Sequence, residues 1–352
     1  MPVISTHNEH TATPPPLVLT QLLFQSWKPR AISVAARLHL AEELAEGPRT
    51  VAELAEAAGA HAPSLHRLMR ALARIGIFAE LDGSRFANSE LSHLLRSDIP
   101  ESLYGMATMV TDLMWPAWGK LLHSVQTGEP TFDKVYGMPI WQYYAEHDPA
   151  AGTLANKAMA NFSPGTDLVL AQAADLSGVR TVVDVGGGYG GLLTALLATH
   201  PSIERGILFD QPYVIDEARI TLDHAPGGRI QLAGGDFFTA VPAGADAYVM
   251  KFILHDWDDT ACRKLLSTCR RAMDPQGRLL AAELVIDPDR SDELAYALDL
   301  QMLISFTGKE RTAAEFRELY EAAGLRLTRI IPTASIFSLI EGIPQGNGQD
   351  ES

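Results

Sequence analysis

Apolar residues recur at three- and four-residue spacing from Leu17 to Ser163, which predicts a mainly helical first unit. Ala31 to Leu44 reads as an amphipathic helix that stops before Gly47-Pro48. Thr50 with Glu53 three residues later is a capping box, opening a short helix that ends at Gly59. A second helix is predicted from Ala62 to Ile75, and Phe78–Ala87 alternates around Asp82-Gly83 as a small hairpin. Helix, turn, helix, hairpin is a winged-helix order. Two longer helical stretches follow, Met106–His123 and Pro139–Phe162, rich in Met and aromatic residues such as Trp115, Trp141, Tyr144 and Met159. Core packing accounts for most of these, and a pocket for a planar ligand would use several.

From about Thr166 the pattern changes to strands alternating with helices. Strands are expected at Thr181–Val185, Gly206–Phe209, Ile230–Leu232, Ala247–Lys251, Arg278–Leu284, Leu325–Ile331 and Ser335–Ile340. Helices are expected at Leu192–Thr199, Asp258–Met273 and Thr312–Ala323. Apolar strands separated by helices imply an α/β unit with a mostly parallel sheet covered on both faces. The connection around Pro332 and Thr333 is too short for a parallel crossover, so the last strand is expected to run antiparallel.

A length of 352 residues suits two domains, read as 17–163 and 164–344. The polar flanks 1–16, ending in Pro14-Pro15-Pro16, and 345–352 are expected to be disordered. With 43 acidic against 28 basic residues the formal charge is −15, which repels phosphate backbones and anionic headgroups. Nucleic acid and membrane are therefore not expected partners, although a winged helix with Arg67, Arg70 and Arg74 on one face keeps a DNA-binding regulator as an alternative. Cys262 and Cys269 sit seven residues apart in a predicted helix, on the order of 10 Å, beyond disulfide reach. No basic-then-apolar leader and no stretch of about 18 apolar residues is apparent, so a cytoplasmic location is expected.

The chemistry concentrates at the predicted strand ends. Gly186, Gly188 and Gly191 form G-x-G-x-x-G after the first strand, where backbone can approach a ligand closely. Asp210 ends the second strand, where a carboxylate can accept ribose hydroxyls. Nicotinamide dehydrogenases share both features. Asp236 and Phe237 follow the third strand, suited to an adenine amine and ring, with a turn cap as the plainer use of Asp236. Lys251 ends the fourth, and His255 lies just past it.

The blocks Asp184–Gly190 (DVGGGYG), Asp210, Gly235–Phe238 (GDFF), Lys251–Asp258 (KFILHDWD) and Gly308–Thr312 (GKERT) together resemble the caffeate- and hydroxyindole-type O-methyltransferases and their bacterial natural-product relatives. The resemblance covers most of the chain. It implies a Rossmann-like class I methyltransferase domain, with a seven-stranded sheet, preceded by a winged-helix-like dimerisation domain. It further implies S-adenosylmethionine as cofactor, held at Gly186, Asp210, Asp236, Phe237, Lys251 and Ser163, with S-adenosylhomocysteine as product. A homodimer is implied too, through the apolar faces of Leu17–Leu23 and Ala31–Leu44.

Methyl transfer from a sulfonium needs alignment, exclusion of water and removal of the hydroxyl proton. His255 is suited to the last task, and Glu283 and Glu310 match the carboxylates that flank the family's histidine. For Glu310 the competing use is an ion pair with Lys309 or Arg311; Asp256 is read as a helix-start cap. Met159, Trp115, Asp299, Met302 and Phe306 are expected to shape the pocket for a small, flat aromatic acceptor. No metal-binding spacing such as H-E-x-x-H occurs, so no metal is expected. Non-methylating chemistry on the same fold and a nicotinamide-dependent oxidoreductase remain alternatives.

Overall fold

The capping box at Thr50 forms as expected: its hydroxyl accepts the Glu53 N–H while the Glu53 carboxylate accepts the Thr50 N–H. The computed structural model describes residues 14–162, 164–222, 228–289 and 293–345. It divides into two compact units, one ending at Thr111 and the other beginning at Asp112.

The first unit runs α1 (Pro15–Phe24), α2 (Trp27–Arg37), α3 (Leu40–Glu43), β1 (Arg49–Thr50), α4 (Val51–Ala57), α5 (Ala62–Arg74), β2 (Phe78–Leu81), β3 (Arg85–Asn88), α6 (Glu90–His93) and α7 (Tyr104–Asp112). Helix α1 begins at Pro15, so the flank expected to be disordered is helical from there; 1–13 and 346–352 lie outside the described residues. The single helix expected over Ala31–Leu44 is two, because His39 takes a left-handed φ of 51° between α2 and α3. Helix α5 buries Leu65, Met69 and Leu72 and exposes Arg67, Arg70 and Arg74. Strands β1, β3 and β2 pair antiparallel as the wing.

The second unit opens with short helices α8 (Trp115–Trp118), α9 (Leu121–Thr127), α10 (Thr131–Tyr136) and α11 (Ile140–Gln142), a π-helical turn at Tyr143–His147, then α12 (Pro149–Phe162) and α13 (Pro164–Ala173). The two long helices read from the sequence are thus broken. Gly128 and Gly137, both left-handed, end α9 and α10. The division at Thr111 also precedes the boundary expected after Ser163. Its cause is packing onto a later helix: Trp118 Nε1 donates to Gln301 Oε1 at 2.8 Å and the Thr131 hydroxyl to the Ile304 carbonyl.

There follow β4 (Thr181–Val185), α14 (Gly191–Thr199), β5 (Arg205–Asp210), α15 (Pro212–Leu222), β6 (Ile230–Gly234), β7 (Ala247–Lys251), a 3-10 turn (Leu254–Asp256), α16 (Asp259–Ala272), β8 (Arg278–Glu283), β9 (Val285–Ile286), α17 (Glu293–Ser305), β10 (Arg311–Thr312), α18 (Ala313–Ala322), β11 (Leu325–Pro332) and β12 (Ser338–Pro344). Among the described residues seven strands form one sheet in the order β11-β12-β8-β7-β4-β5-β6, with β12 antiparallel to both neighbours. Successive residues face opposite sides. Val183, Tyr248 and Leu279 join the core under α16 and α18, while Val182, Val249 and Leu280 join that under α13, α14 and α15. The last strand begins at Ser338 rather than Ser335, because a Thr333–Ser335 hydroxyl turn occupies the preceding residues. Among the described residues no helix is long and apolar enough to cross a membrane.

Candidate active site

Every strand-end residue singled out in the sequence lies at the carboxyl edge of the parallel sheet, where an open α/β fold leaves its crevice. The glycine loop after β4 turns through three left-handed glycines, Gly186, Gly188 and Gly190. Gly188 faces open space, while a side chain at Gly186 would run into Ile253 and approach Phe237. Asp210 Oδ2 accepts the Gly188 N–H at 2.8 Å, and Oδ1 accepts the Gln211 N–H at 2.7 Å. Burial pushes the Asp210 carboxyl up, opposed by these two donors. Asp236 is exposed and caps its own turn, accepting from the Phe238 N–H and the Thr239 hydroxyl. The plainer use of Asp236 is therefore present, on an exposed carboxylate just past β6.

Two carboxylates that sequence reasoning did not assign complete this edge. Asp167 on α13 pairs with Lys251 Nζ at 2.5 Å and crowds the start of α14, where a side chain at Gly191 would meet Asp167 Oδ2. Asp184 lies beneath Gly187 with both carboxylate oxygens buried. Burial pushes its carboxyl up to about 7, against the pull of the Lys251 ammonium. Nothing in the spacing of Asp167 pointed to Lys251; their meeting is purely tertiary.

His255 sits in the 3-10 turn after β7, 8% exposed. Its Nδ1 meets Glu310 Oε1 at 2.9 Å, and its Nε2 faces Asp256 Oδ1 at 3.4 Å. Glu283 Oε1 accepts the N–H groups of Ile253 and Leu254, at 3.0 and 2.7 Å, so it fixes the backbone leading to His255. His255, Glu283 and Glu310 each bring a ligand-type atom within 4.8 Å of the others, the three residues that the resemblance places together. The second oxygens of Glu283 and Glu310 are buried without hydrogen-bond partners. Burial pulls the imidazole toward its neutral form, but the charges of Asp256 and Glu283 and the Glu310 hydrogen bond outweigh it and raise its pKa to about 9. Burial pushes Asp256 and Glu283 up to about 7.

One expectation changes here, one competing use falls away and one unassigned residue joins the site. Asp256 is no helix cap; Asp258 caps α16 by accepting the Ala261 N–H, and Asp256 turns inward to the imidazole. Glu310 pairs with neither Lys309 nor Arg311, which bind Glu315 and Asp259 instead. Phe252, unmarked in the sequence, adopts a left-handed φ of 54° and stacks on His255 with ring centroids 4.4 Å apart and planes 7° off parallel. A bulky residue in that region is strained, by about 1–3 kcal/mol. The two N–H bonds to Glu283 and the Phe252 N–H bond to the Ala282 carbonyl hold it there.

Of the expected acceptor residues, Asp299 is tied to this centre by a hydrogen bond, and the others lie on or beside α8, α12 and α17. Asp299 accepts the Glu310 N–H at 3.0 Å, which links α17 to the histidine. Met302 is buried on the same helix, and Phe306 packs against Trp141 at 5.5 Å. Trp115 opens α8 half-buried, and Met159 is exposed on α12. Ser163 lies outside the described residues.

Residues 118–326 match the O-methyltransferase domain family and residues 20–98 its dimerisation domain. A phenazine O-methyltransferase from Lysobacter antibioticus is 41% identical over 339 residues, covering 96% of this chain and 99% of that protein. Among solved structures, an O-methyltransferase from neocarzinostatin biosynthesis, in complex with S-adenosylmethionine and 2-hydroxy-5-methyl naphthoic acid, superposes with a TM-score of 0.79 at 35% identity. It covers 92% of this chain and 98% of that one. Human N-acetylserotonin methyltransferase in complex with S-adenosylmethionine gives 0.86 at 25% identity, covering 95% and 99%.

Proposed function

The chain belongs to the O-methyltransferase family, and from that premise we propose that it methylates a hydroxyl of a small aromatic acceptor of natural-product type, with His255 as the base. The observation that carries the proposal is the imidazole held between Glu310 and Asp256 at the sheet's carboxyl edge.

Gly186, Asp210, Asp236, Phe237 and Lys251 would hold S-adenosylmethionine, with Ser163 beside its methionine end. The open face at Gly188, the carboxylate of Asp210 and the Asp167–Lys251 pair fit a nucleoside joined to an amino acid. When bound, the cofactor supplies a sulfonium-activated methyl group and leaves as the neutral thioether S-adenosylhomocysteine.

Glu310 holds Nδ1 at hydrogen-bond distance while Asp256 stands farther off, 3.4 Å from Nε2, so Nε2 is the atom that takes the acceptor's proton. The acids around the imidazole matter for that transfer. A phenol has a pKa of about 10, and an imidazolium of ordinary pKa 6.5 would be a poor match for it. Raised to about 9, the imidazole comes close. The neutral imidazole is the form that accepts the proton, so the raised basicity eases the transfer only once His255 has itself been deprotonated, and the rate is expected to climb toward pH 9. Glu283 and Phe252 keep the turn in place while this happens, the first through its backbone acceptance and the second through its stacked ring. Met302, Phe306, Trp115, Met159 and Asp299 would shape the acceptor cleft. The reaction needs no Lewis acid, because the electrophile arrives activated, and we assign no metal.

The deciding experiment is a mass-spectrometric assay with S-adenosylmethionine, EDTA and a panel of phenols, phenazines, naphthoates and hydroxyindoles. Methylated product and S-adenosylhomocysteine are expected from the wild type, with a fall of about 100-fold or more in His255→Ala. Product unchanged in that variant would remove His255 as base, and loss of activity in EDTA would overturn the metal-free reading.

A further inference from the structure

We propose that the loop 308–312 is a one-piece clamp for the catalytic histidine, and that Arg311 is its positioning residue, locking the backbone on both sides of His255. The inference rests on the reading of His255 as base. Arg311 is 1% exposed, the largest fully buried side chain among the described residues. A guanidinium is taken out of water only at a cost that its hydrogen bonds must offset. Here they go to two carbonyls flanking His255, to Asp259 at the start of α16 and to the Lys309 carbonyl of its own loop. One terminal nitrogen donates to the Leu254 carbonyl at 2.8 Å, and the other to the Trp257 carbonyl at 2.7 Å. Nε and the second terminal nitrogen bind Asp259 Oδ1 at 3.0 and 2.8 Å. The two carbonyls bracket His255 from one residue before and two after. Only a planar fork with five donors spans them; an ammonium is a single point.

The rest of the loop acts on the same turn. Gly308 lies so close that a side chain there would collide with the His255 carbonyl, the Trp257 nitrogen and the Asp256 carbonyl carbon. Glu310, next in sequence to Arg311, takes Nδ1. Arg311 also pairs with Val285 in the parallel β9–β10 ladder, two residues beyond Glu283. The imidazole's partner and the fixation of its backbone thus come from one short segment, so a shift of that segment moves both. Arg311 acts on the reaction through His255.

The test compares wild type, Arg311→Lys, Asp259→Asn and His255→Ala by kcat, acceptor KM and the calorimetric Kd of S-adenosylhomocysteine. A displacement of about 1 Å at a reacting group costs on the order of 100-fold. Arg311→Lys is therefore expected to lower kcat about 100-fold while the Kd of S-adenosylhomocysteine stays within about twofold. Asp259→Asn, on a half-exposed side chain that leaves the guanidinium in place, is expected to lower kcat several-fold with the same unchanged Kd. A folded Arg311→Lys with kcat within twofold of wild type overturns the clamp, as does a parallel loss of kcat and cofactor affinity. Should Arg311→Lys fail to fold, Asp259→Asn decides alone, and an unchanged kcat there overturns it. Full activity in His255→Ala would instead remove the base reading on which the clamp depends.

Discussion

Replacing Glu310 by glutamine takes away one of three acidic groups around His255 while leaving an amide oxygen able to accept the Nδ1 proton. The imidazole stands at about 9 instead of 6.5 because Asp256, Glu283 and Glu310 together outweigh the penalty of burial. At ~1.4 kcal/mol per pH unit the net rise is roughly 3 kcal/mol, and the acids must offset burial as well, so one of the three carries at least about 1 kcal/mol, or nearly one pH unit. The sign follows from charge. Removing a neighbouring anion disfavours the imidazolium, so the variant's histidine loses its proton at lower pH. The rising limb of kcat/KM reports the base in the free enzyme. It is expected to move down by about one pH unit, and the plateau above it to fall, because a weaker and less oriented base serves the same phenol. The assay is S-adenosylhomocysteine release from pH 6 to 10.5 at constant ionic strength, with Glu283→Gln and Asp256→Asn beside it. A limb that stays put in Glu310→Gln, or moves to higher pH, would refute the electrostatic account of the site.

Gly187→Ala should weaken or abolish binding of S-adenosylhomocysteine, since its methyl group would press on the Asp184 carboxylate and on Leu208; overpacking of this kind costs about 1–3 kcal/mol. Calorimetry and thermal melting would check it, and a wild-type Kd in a protein of wild-type stability would refute it. Helix α1 exposes Leu19, Leu22, Leu23 and Phe24, each by more than half, in a region that matches a dimerisation domain. Light scattering is expected to give twice the 38.2 kDa chain mass and to fall toward the monomer in Leu19→Glu/Leu23→Glu. A wild-type monomer at micromolar concentration, or a dimer indifferent to both charges, would remove that role for the helix.

The parallel sheet was legible because its strands, buried on both faces, read as short, mostly apolar runs such as Thr181–Val185 and Ala247–Lys251. Helix α16 was legible for the complementary reason. Cys262, Leu265, Leu266 and Cys269 recur at helical spacing and are buried on one side. The helices before the sheet were read too long, because periodicity continues across a break when both pieces bury residues. A left-handed His39 between α2 and α3 leaves the apolar spacing almost undisturbed. The π-helical turn at Tyr143–His147 hides in the same way, since one residue of slippage among aromatics keeps every aromatic inward.

The site was legible in its residue types and illegible in its pairings. Glu283 stood out because an acid ending an apolar strand is costly without a task, His255 by its place just past the fourth strand, and Glu310 through the resemblance carried by Gly308–Thr312. Sequence does not say which oxygen meets which nitrogen, and there the reading of Asp256 failed. Alternation places a residue on a face only within a regular element, and the left-handed Phe252 breaks the alternation three residues before His255. Past that point the direction of each side chain depends on the loop 308–312, more than fifty residues away, whose Arg311 seizes the carbonyls of Leu254 and Trp257. Backbone carbonyls carry no residue code. A buried arginine whose chief partners are carbonyls therefore looks in the sequence like any surface charge, and only the folded chain distinguishes it.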